Sequence, residues 1–148
     1  MRIAIGADED GPLPRALVAA LREAGHEVEV VGPPAGGDEE WVEVAAAVGR
    51  AVTDGVAERG VVMCWSGTGA SIAANKVTGV RAALCPDPET ARMARRYNHA
   101  NVLALSMRAT SEPIGREILA AFLDAPDGDD AFDRRNVALL ARLDRDGR

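Results

Sequence analysis

Short apolar runs alternate with longer amphipathic stretches along the chain, and this alternation predicts β-strands separated by α-helices. The predicted strands cover residues 2–6, 27–31, 60–64, 80–85 and 101–105. The predicted helices cover residues 13–24, 41–53, 71–75, 88–97, 111–123 and 130–143. The last of these helices is rich in arginine and is expected to protrude from the rest of the chain.

The order of these elements predicts an α/β fold. Strands separated by helices pair in parallel through right-handed crossovers, so we expect a Rossmann-like three-layer α/β/α sandwich around a five-stranded parallel sheet. In such sheets the ligand site lies beyond the carboxyl ends of the strands. Those ends are residues 8–10, 64–71, 85–87 and 106–108. The chain has no internal repeat and no linker, so residues 1–148 are expected to form a single domain.

The composition excludes several classes of protein. Hydrophobic residues make up 47% and charged residues 27% of the 148 residues, which is typical of a folded chain and not of a disordered one. The net charge is −6 with no basic stripe, so we expect no nucleic-acid partner. No apolar run approaches the roughly 18 residues of a membrane span, and none is typical of a signal peptide. We therefore expect a cytoplasmic protein with no membrane partner, and two cysteines without a disulfide framework agree with a reducing compartment.

The most distinctive segment, residues 64–71, reads Cys-Trp-Ser-Gly-Thr-Gly-Ala-Ser and joins a predicted strand to a predicted helix. Glycines let the backbone approach a ligand closely, and backbone N–H groups at a helix start point toward negative charge. The segment is either an anion cradle, an oxyanion hole or a purely structural turn. It has neither the lysine of a phosphate-binding P-loop nor the spacing of a dinucleotide-binding loop.

Four side chains near the predicted ligand face are considered as candidates for chemistry. Cys64 is either a small buried hydrophobe or a thiolate favoured by the nearby helix start and opposed by the acidic residues 8–10. Asp8 is either a catalytic carboxylate or a helix cap. Cys85 is expected in the core, and His99 is either functional, near the ligand face, or a surface side chain. The acidic loop lacks an accompanying histidine, so we expect no metal.

Several segments around these residues carry a family resemblance. They are residues 3–8, 24–28, 71–77, 79–85 and 101–105, together with Asn98. They resemble the ribose-5-phosphate isomerase B family, which also contains galactose-6-phosphate and allose-6-phosphate isomerases. The resemblance covers nearly the whole chain and is weakest over residues 33–44 and after residue 123.

The resemblance implies an isomerase that interconverts aldose and ketose phosphates through a cis-enediolate, with neither metal nor cofactor. It also implies a site built between two subunits of a homodimer. In this family, dimers often pair into a tetramer. The expected partners are therefore a sugar or sugar phosphate and a second copy of the chain.

By position, the resemblance assigns roles to individual residues. Cys64 matches the base that takes the proton next to the carbonyl, and Ser66 matches a residue that helps to open the ring or orients the thiol. The backbone amides of residues 67–71 match the cradle for the enediolate. The expected catalytic residues are Cys64, Ser66 and Asp8. The expected substrate-binding residues are Glu9, Trp65, Gly67, Thr68, Gly69, Ser71, Tyr97, Asn98, Arg108, Arg134 and Arg135.

The sequence departs from the family pattern at the residues that open the ring and hold phosphate. Glu9 and Tyr97 each stand where the family has histidine. The positions of its phosphate clamp are occupied by Phe132, Asp133 and Asn136, with Arg134 and Arg135 displaced. Trp65 replaces a glycine, where it either shields the thiol or packs outward, and residues 40–42 read Glu-Trp-Val in place of Asp-Tyr-Pro. A carboxylate 4 Å from phosphate would repel it by about 1 kcal/mol or more in water-like surroundings.

These departures bear on the substrate more than on the reaction. An open-chain substrate such as a tetrose phosphate would not need ring opening, so a short-chain sugar phosphate is the preferred expectation. The same isomerisation of an unphosphorylated sugar is one alternative. A sugar-binding protein that kept the fold and lost turnover is another.

Overall fold

The fold described here is that of a computed structural model, which describes residues 1–146. Its strands are β1 (Arg2–Ala7), β2 (Glu27–Val31), β3 (Arg59–Cys64), β4 (Ala82–Leu84) and β5 (Val102–Ser106). Its helices are α1 (Pro12–Glu23), α2 (Trp41–Thr53), α3 (Thr68–Ala74), α4 (Pro88–Asn98), α5 (Glu112–Asp124) and α6 (Ala131–Asp146), with a 3-10 turn at Pro33–Ala35. The strands form one parallel sheet, as the alternation of elements predicts, and their order in the sheet is β2-β1-β3-β5-β4.

The two faces of the sheet bury separate hydrophobic clusters. Successive side chains of a strand point to opposite faces, so Ile3 and Ile5 pack on one side of β1 and Ala4 on the other. The first cluster is covered by α1, α4 and α5, and the second by α2 and α3. We call the sheet edge where all strands end the carboxyl edge, and the opposite one the amino edge.

Three elements differ from their predicted bounds by more than one residue: α3, β4 and α6, which ends at Asp146 instead of residue 143. Helix α3 begins at Thr68, three residues earlier than predicted, because Gly67 takes a left-handed conformation (φ 75°) that starts the helix there. Strand β4 is limited to Ala82–Leu84. The side-chain amide of Asn75 occupies both the N–H and the carbonyl of Ala82, at 2.8 and 2.9 Å, so it replaces a neighbouring strand at the start of this edge strand.

Helix α6 begins at the amino edge, where the end of α4 holds the connection that precedes it. Arg95 is buried and pairs with Asp127 at 2.6 Å. The N–H of Gly128 donates to the carbonyl of Arg96 at 2.9 Å, and Nε2 of His99 lies 3.0 Å from the carbonyl oxygen of Gly128. Within residues 1–146, no helix is long and apolar enough to cross a membrane.

Candidate active site

Cys64 ends β3 at the carboxyl edge, under the first turn of α3. Its side chain is buried, and the backbone N–H of Ala70 donates to Sγ at 3.4 Å. The next strand fixes this point, because the N–H of Met107 donates to the carbonyl of Cys64 and the N–H of Arg108 donates to that of Trp65, each at 3.0 Å. The thiol therefore lies against a helix start on a backbone tied to β5.

The turn between Cys64 and α3 requires glycine at position 67. A Cβ there would lie 2.8 Å from the backbone carbonyl of Leu105 and 2.6 Å from Cδ1 of Leu84, and the left-handed φ adds strain for any other residue. This close approach holds the backbone that leads into α3 against β5.

Not all of the expected backbone donors are available. The N–H of Gly67 donates to the carbonyl of Cys64, and the N–H of Ser71 donates to the carbonyl of Gly67. Among residues 1–146, no acceptor is found for the N–H groups of Thr68 and Gly69. The cradle is therefore narrower than residues 67–71. We use "cradle" below for the N–H groups of Thr68, Gly69 and Ala70.

The Ser66 hydroxyl does not reach the thiol. Its Oγ lies 2.7 Å from the hydroxyl oxygen of Thr68, and both side chains are exposed. Of the two roles expected for Ser66, orienting the thiol would need a hydrogen bond to Cys64, and in this structure the Ser66 hydroxyl pairs with that of Thr68 instead. The hydrogen bond to sulfur comes instead from the backbone of Ala70.

Asp8 follows β1 and lies partly buried at the same edge. Its Oδ1 atom is buried, and no hydrogen-bond partner is found for it among the described residues. Burial raises the pKa of Asp8, and the negative charges of Glu9 and Glu40 act in the same direction. Asp10 points elsewhere, because it pairs with Arg15 at 2.5 Å, and that hydrogen bond lowers the pKa of Asp10. Of these two acids, Asp8 is therefore the one whose carboxylate has no cationic partner among the described residues.

Glu9 and Trp65 line a cavity whose lining does not include Cys64. This cavity measures about 780 Å³ and lies between the starts of α1 and α5. Trp65 is 63% exposed and faces it, so of the two alternatives for this side chain the structure has the outward one. Arg108 is exposed at the same edge of the sheet.

Trp41 is a residue at this site that the sequence analysis did not assign. It is the first residue of α2, and its ring packs on Gly69, where an added Cβ would lie 3.1 Å from ring atoms Cε3 and Cζ3. Glu40 and Glu43 form a capping box that fixes the start of the helix. The signal available in the sequence was an aromatic residue at the position of the family's tyrosine.

The remaining expected site residues lie at the amino edge. Tyr97 and Asn98 end α4, and a helix that follows a parallel strand runs back to the edge where the next strand begins. Arg134 binds Asp129, and Arg135 lies over the ring of Phe132 at 5.5 Å. Within one chain, the structure therefore separates these four residues from Cys64.

The expected placement of His99 near the ligand face is wrong, because α4 runs back to the amino edge before it ends. His99 follows α4 directly and takes a left-handed conformation, and its ring contacts the carbonyl of Gly128 at the amino edge. It therefore belongs with the connection to α6 and not with the thiol.

Comparison with known proteins gives concordant results. The family described as Ribose/Galactose Isomerase matches residues 3–139. The D-erythrulose-4-phosphate isomerase of Pectobacterium atrosepticum is 38% identical over 127 residues, and the ribose-5-phosphate isomerase B of Escherichia coli is 37% identical over 125 residues, with 84% of each chain covered in both cases. The structure of ribose-5-phosphate isomerase B from Clostridium thermocellum superposes with a TM-score of 0.92 at 34% identity, over 100% of both chains. The type B enzyme of Trypanosoma brucei gives 0.89 at 40% identity, over 96% of this chain and 97% of that one.

Proposed function

Because this chain belongs to the ribose/galactose isomerase family and is a sugar phosphate isomerase, we propose that it acts on a short, open-chain substrate through a cis-enediolate, with Cys64 as the base. The observation that carries the choice of base is the hydrogen bond from the N–H of Ala70 to Sγ of Cys64. A thiol is a useful base only as the thiolate, and a donor at a helix start favours that form.

The proposed reaction moves two protons and changes no net oxidation state. The Cys64 thiolate removes the proton from the carbon next to the carbonyl, and the electron pair forms the enediolate. The same thiol then returns the proton to the neighbouring carbon. The free N–H groups of Thr68 and Gly69 bind the oxyanion that develops in between, which is the part of such a reaction that aimed donors stabilise most.

The hydroxyl proton must also move between the two oxygens of the enediolate. We assign this transfer to Asp8, because its raised pKa keeps it protonated to higher pH than an ordinary aspartate and its Oδ1 has no partner among the described residues. Ser66 remains assigned to the site through the hydroxyl pair it forms with Thr68, which can donate to substrate oxygens.

Two observations support a short-chain sugar phosphate. Tyr97 stands where the resemblance places a ring-opening histidine, and a tetrose 4-phosphate cannot close a furanose ring because its fourth oxygen is esterified. The curated relative from Pectobacterium atrosepticum is named for erythrulose 4-phosphate, a four-carbon ketose phosphate.

The separation of the site residues supports a site completed by a second copy. Tyr97, Asn98, Arg134 and Arg135 lie at the amino edge of their own chain, so in our proposal they reach the thiol of a partner chain in a homodimer. Helix α6 also exposes an apolar surface, formed by Leu139, Leu140 and Leu143. Equilibrium sedimentation at micromolar concentration tests this, and a monomer that retains full turnover would contradict it.

The acidic residues at the carboxyl edge favour a second candidate, the same isomerisation of an unphosphorylated sugar. Asp8, Glu9 and Glu40 interact at the carboxyl edge, and their charge disfavours a phosphate close to them.

A substrate panel separates the candidates. Initial rates are measured with erythrose 4-phosphate, ribose 5-phosphate and the two sugars without phosphate. We expect the highest kcat/KM with erythrose 4-phosphate. A higher value with ribose 5-phosphate would refute the short-chain assignment, and a higher value with a free sugar would favour the second candidate.

A further inference from the structure

We propose that Trp41 is a positioning residue that holds the cradle in register with Cys64. The proposal rests on the function proposed above and adds to it a residue from α2, which contributes no group of its own to the chemistry. Its role would be to act through Gly69, the middle residue of the cradle.

The ring of Trp41 leaves too little room for an ordinary side chain at Gly69. A Cβ on Gly69 would lie 3.1 Å from two ring atoms and 3.5 Å from a third, so the ring lies directly against the backbone of the helix start. Ala70, the next residue, is the one whose N–H donates to Sγ of Cys64. The indole thus bears on the backbone one residue away from the donor that binds the thiol.

The backbone of the cradle has more conformational freedom than an ordinary helix start. It begins after Gly67 and contains Gly69, and glycines leave a backbone more freedom than any other residue. The backbone that carries the ring is held in place, because the capping box of Glu40 and Glu43 holds the first turn of α2. Helix α2 therefore transmits a fixed position to the N–H groups of the cradle.

Loss of this contact should impair the reaction more than binding. Misplacement of oxyanion donors by a fraction of an ångström weakens contacts that exist fully only in the transition state. Removal of a whole donor costs about 10²–10³ in kcat in other enzymes, so partial misplacement in Trp41→Ala is expected to lower kcat by about tenfold. We expect KM to change less than threefold, and Trp41→Phe, which restores an aromatic wall, to recover most of kcat.

Gly69→Ala provides the matching perturbation. The added methyl group meets the indole when Trp41 is present but has room when Trp41 is replaced by alanine. The two changes should therefore not act independently. We expect the fold loss of kcat in the double variant to be at least fivefold smaller than the product of the fold losses in the two single variants. Val42→Ala, an exposed neighbour on α2, is the control and should leave kcat within twofold.

A second measurement does not depend on the substrate. Alkylation of Cys64 by iodoacetamide is followed by mass spectrometry from pH 6 to 10. If the cradle moves away from the thiol, the profile of Trp41→Ala should shift to higher pH and that of Trp41→Phe should return toward wild type. Greater exposure of Cys64 alone would speed the reaction without shifting its profile.

The outcomes separate this inference from the proposed function. The positioning role would be overturned if the kcat loss of the double variant equals the product of the two single losses within twofold and the alkylation profile of Trp41→Ala is unshifted. This holds even if the wild type turns over every expected substrate. A wild type that turns over no sugar would refute the proposed function, and the alkylation profiles would still decide the role of Trp41. Thermal unfolding of each variant shows whether it is folded at the assay temperature.

Discussion

Substitution of Gly67 by alanine perturbs the turn that aims the cradle. Its backbone is left-handed, with φ 75°, which costs an alanine about 1–2 kcal/mol. The new Cβ would also lie 2.8 Å from the carbonyl carbon and oxygen of Leu105, which belong to β5 and cannot rotate away. Such overpacking costs about 1–3 kcal/mol, so we expect Gly67→Ala to lower the free energy of unfolding by about 2–5 kcal/mol.

Gly25 provides a matched control for the conformational part of this cost. It has a similar left-handed φ of 79°, but nothing lies within 4 Å of an added Cβ. Gly25→Ala should therefore lower the free energy of unfolding by only about 1–2 kcal/mol. The difference between the two variants, measured by urea denaturation, isolates the contact with β5.

The two variants should also differ in activity. A shift of the cradle approaching 1 Å costs about 10²-fold in rate, so kcat of Gly67→Ala should fall by that order, whereas Gly25→Ala should stay within twofold of wild type. Equal unfolding free energies for the two variants, with full activity in Gly67→Ala, would refute the view that close packing on β5 aims the cradle.

Three further predictions follow from charge and burial. Asp127→Ala leaves the charge of the buried Arg95 unpaired and should lower the free energy of unfolding by about 2–3 kcal/mol, whereas Asp129→Ala, which removes an exposed pair, should cost below about 0.5 kcal/mol. Burial raises the pKa of Asp8 above 3.8, so the folded protein favours the protonated carboxyl, and this stability is lost as pH rises through the folded-state pKa. Asp8→Asn, which cannot ionise, should therefore gain stability relative to wild type above pH about 4. Burial raises the pKa of the Cys85 thiol to about 12, so iodoacetamide at pH 8 should leave Cys85 unmodified in the native protein.

Each of these has a clear contrary result. Equal urea midpoints for the two aspartate variants would show that Arg95 does not depend on Asp127. If the stability difference between Asp8→Asn and wild type did not change with pH, the pKa of Asp8 would not be raised by burial. Rapid labelling of Cys85 under native conditions, found by peptide mapping, would show that this residue is not held in the core.

Much of the fold could be predicted because hydrophobic periodicity decides it directly. Residues 41–53 were predicted as a helix and are α2, and the family expected from the motifs is confirmed by the comparisons. The start of α3 was predicted too late, since nothing in the local pattern shows that Gly67 turns left-handed against β5. The extent of β4 depends on the amide of Asn75, a contact over seven residues that no strand pattern encodes.

The site could be predicted as a set of residues but not as an arrangement. Residues at the strand ends, such as Asp8 and Cys64, lie together because parallel strands end at one edge. Asn98 lies at the other edge because α4 runs back across the sheet, a consequence of topology that motif matching ignores. The partner of the Ser66 hydroxyl and the contact of Trp41 with Gly69 depend on side-chain packing between separate elements.

The most direct test of the account is solvent-deuterium exchange at the second carbon of the sugar, catalysed in heavy water by wild type, Cys64→Ala and Cys85→Ala. The account predicts that wild type and Cys85→Ala exchange this proton, whereas Cys64→Ala does so about 10²–10⁴-fold more slowly, the usual contribution of a positioned base. Exchange that survives the loss of Cys64 and disappears with the loss of Cys85 would contradict it.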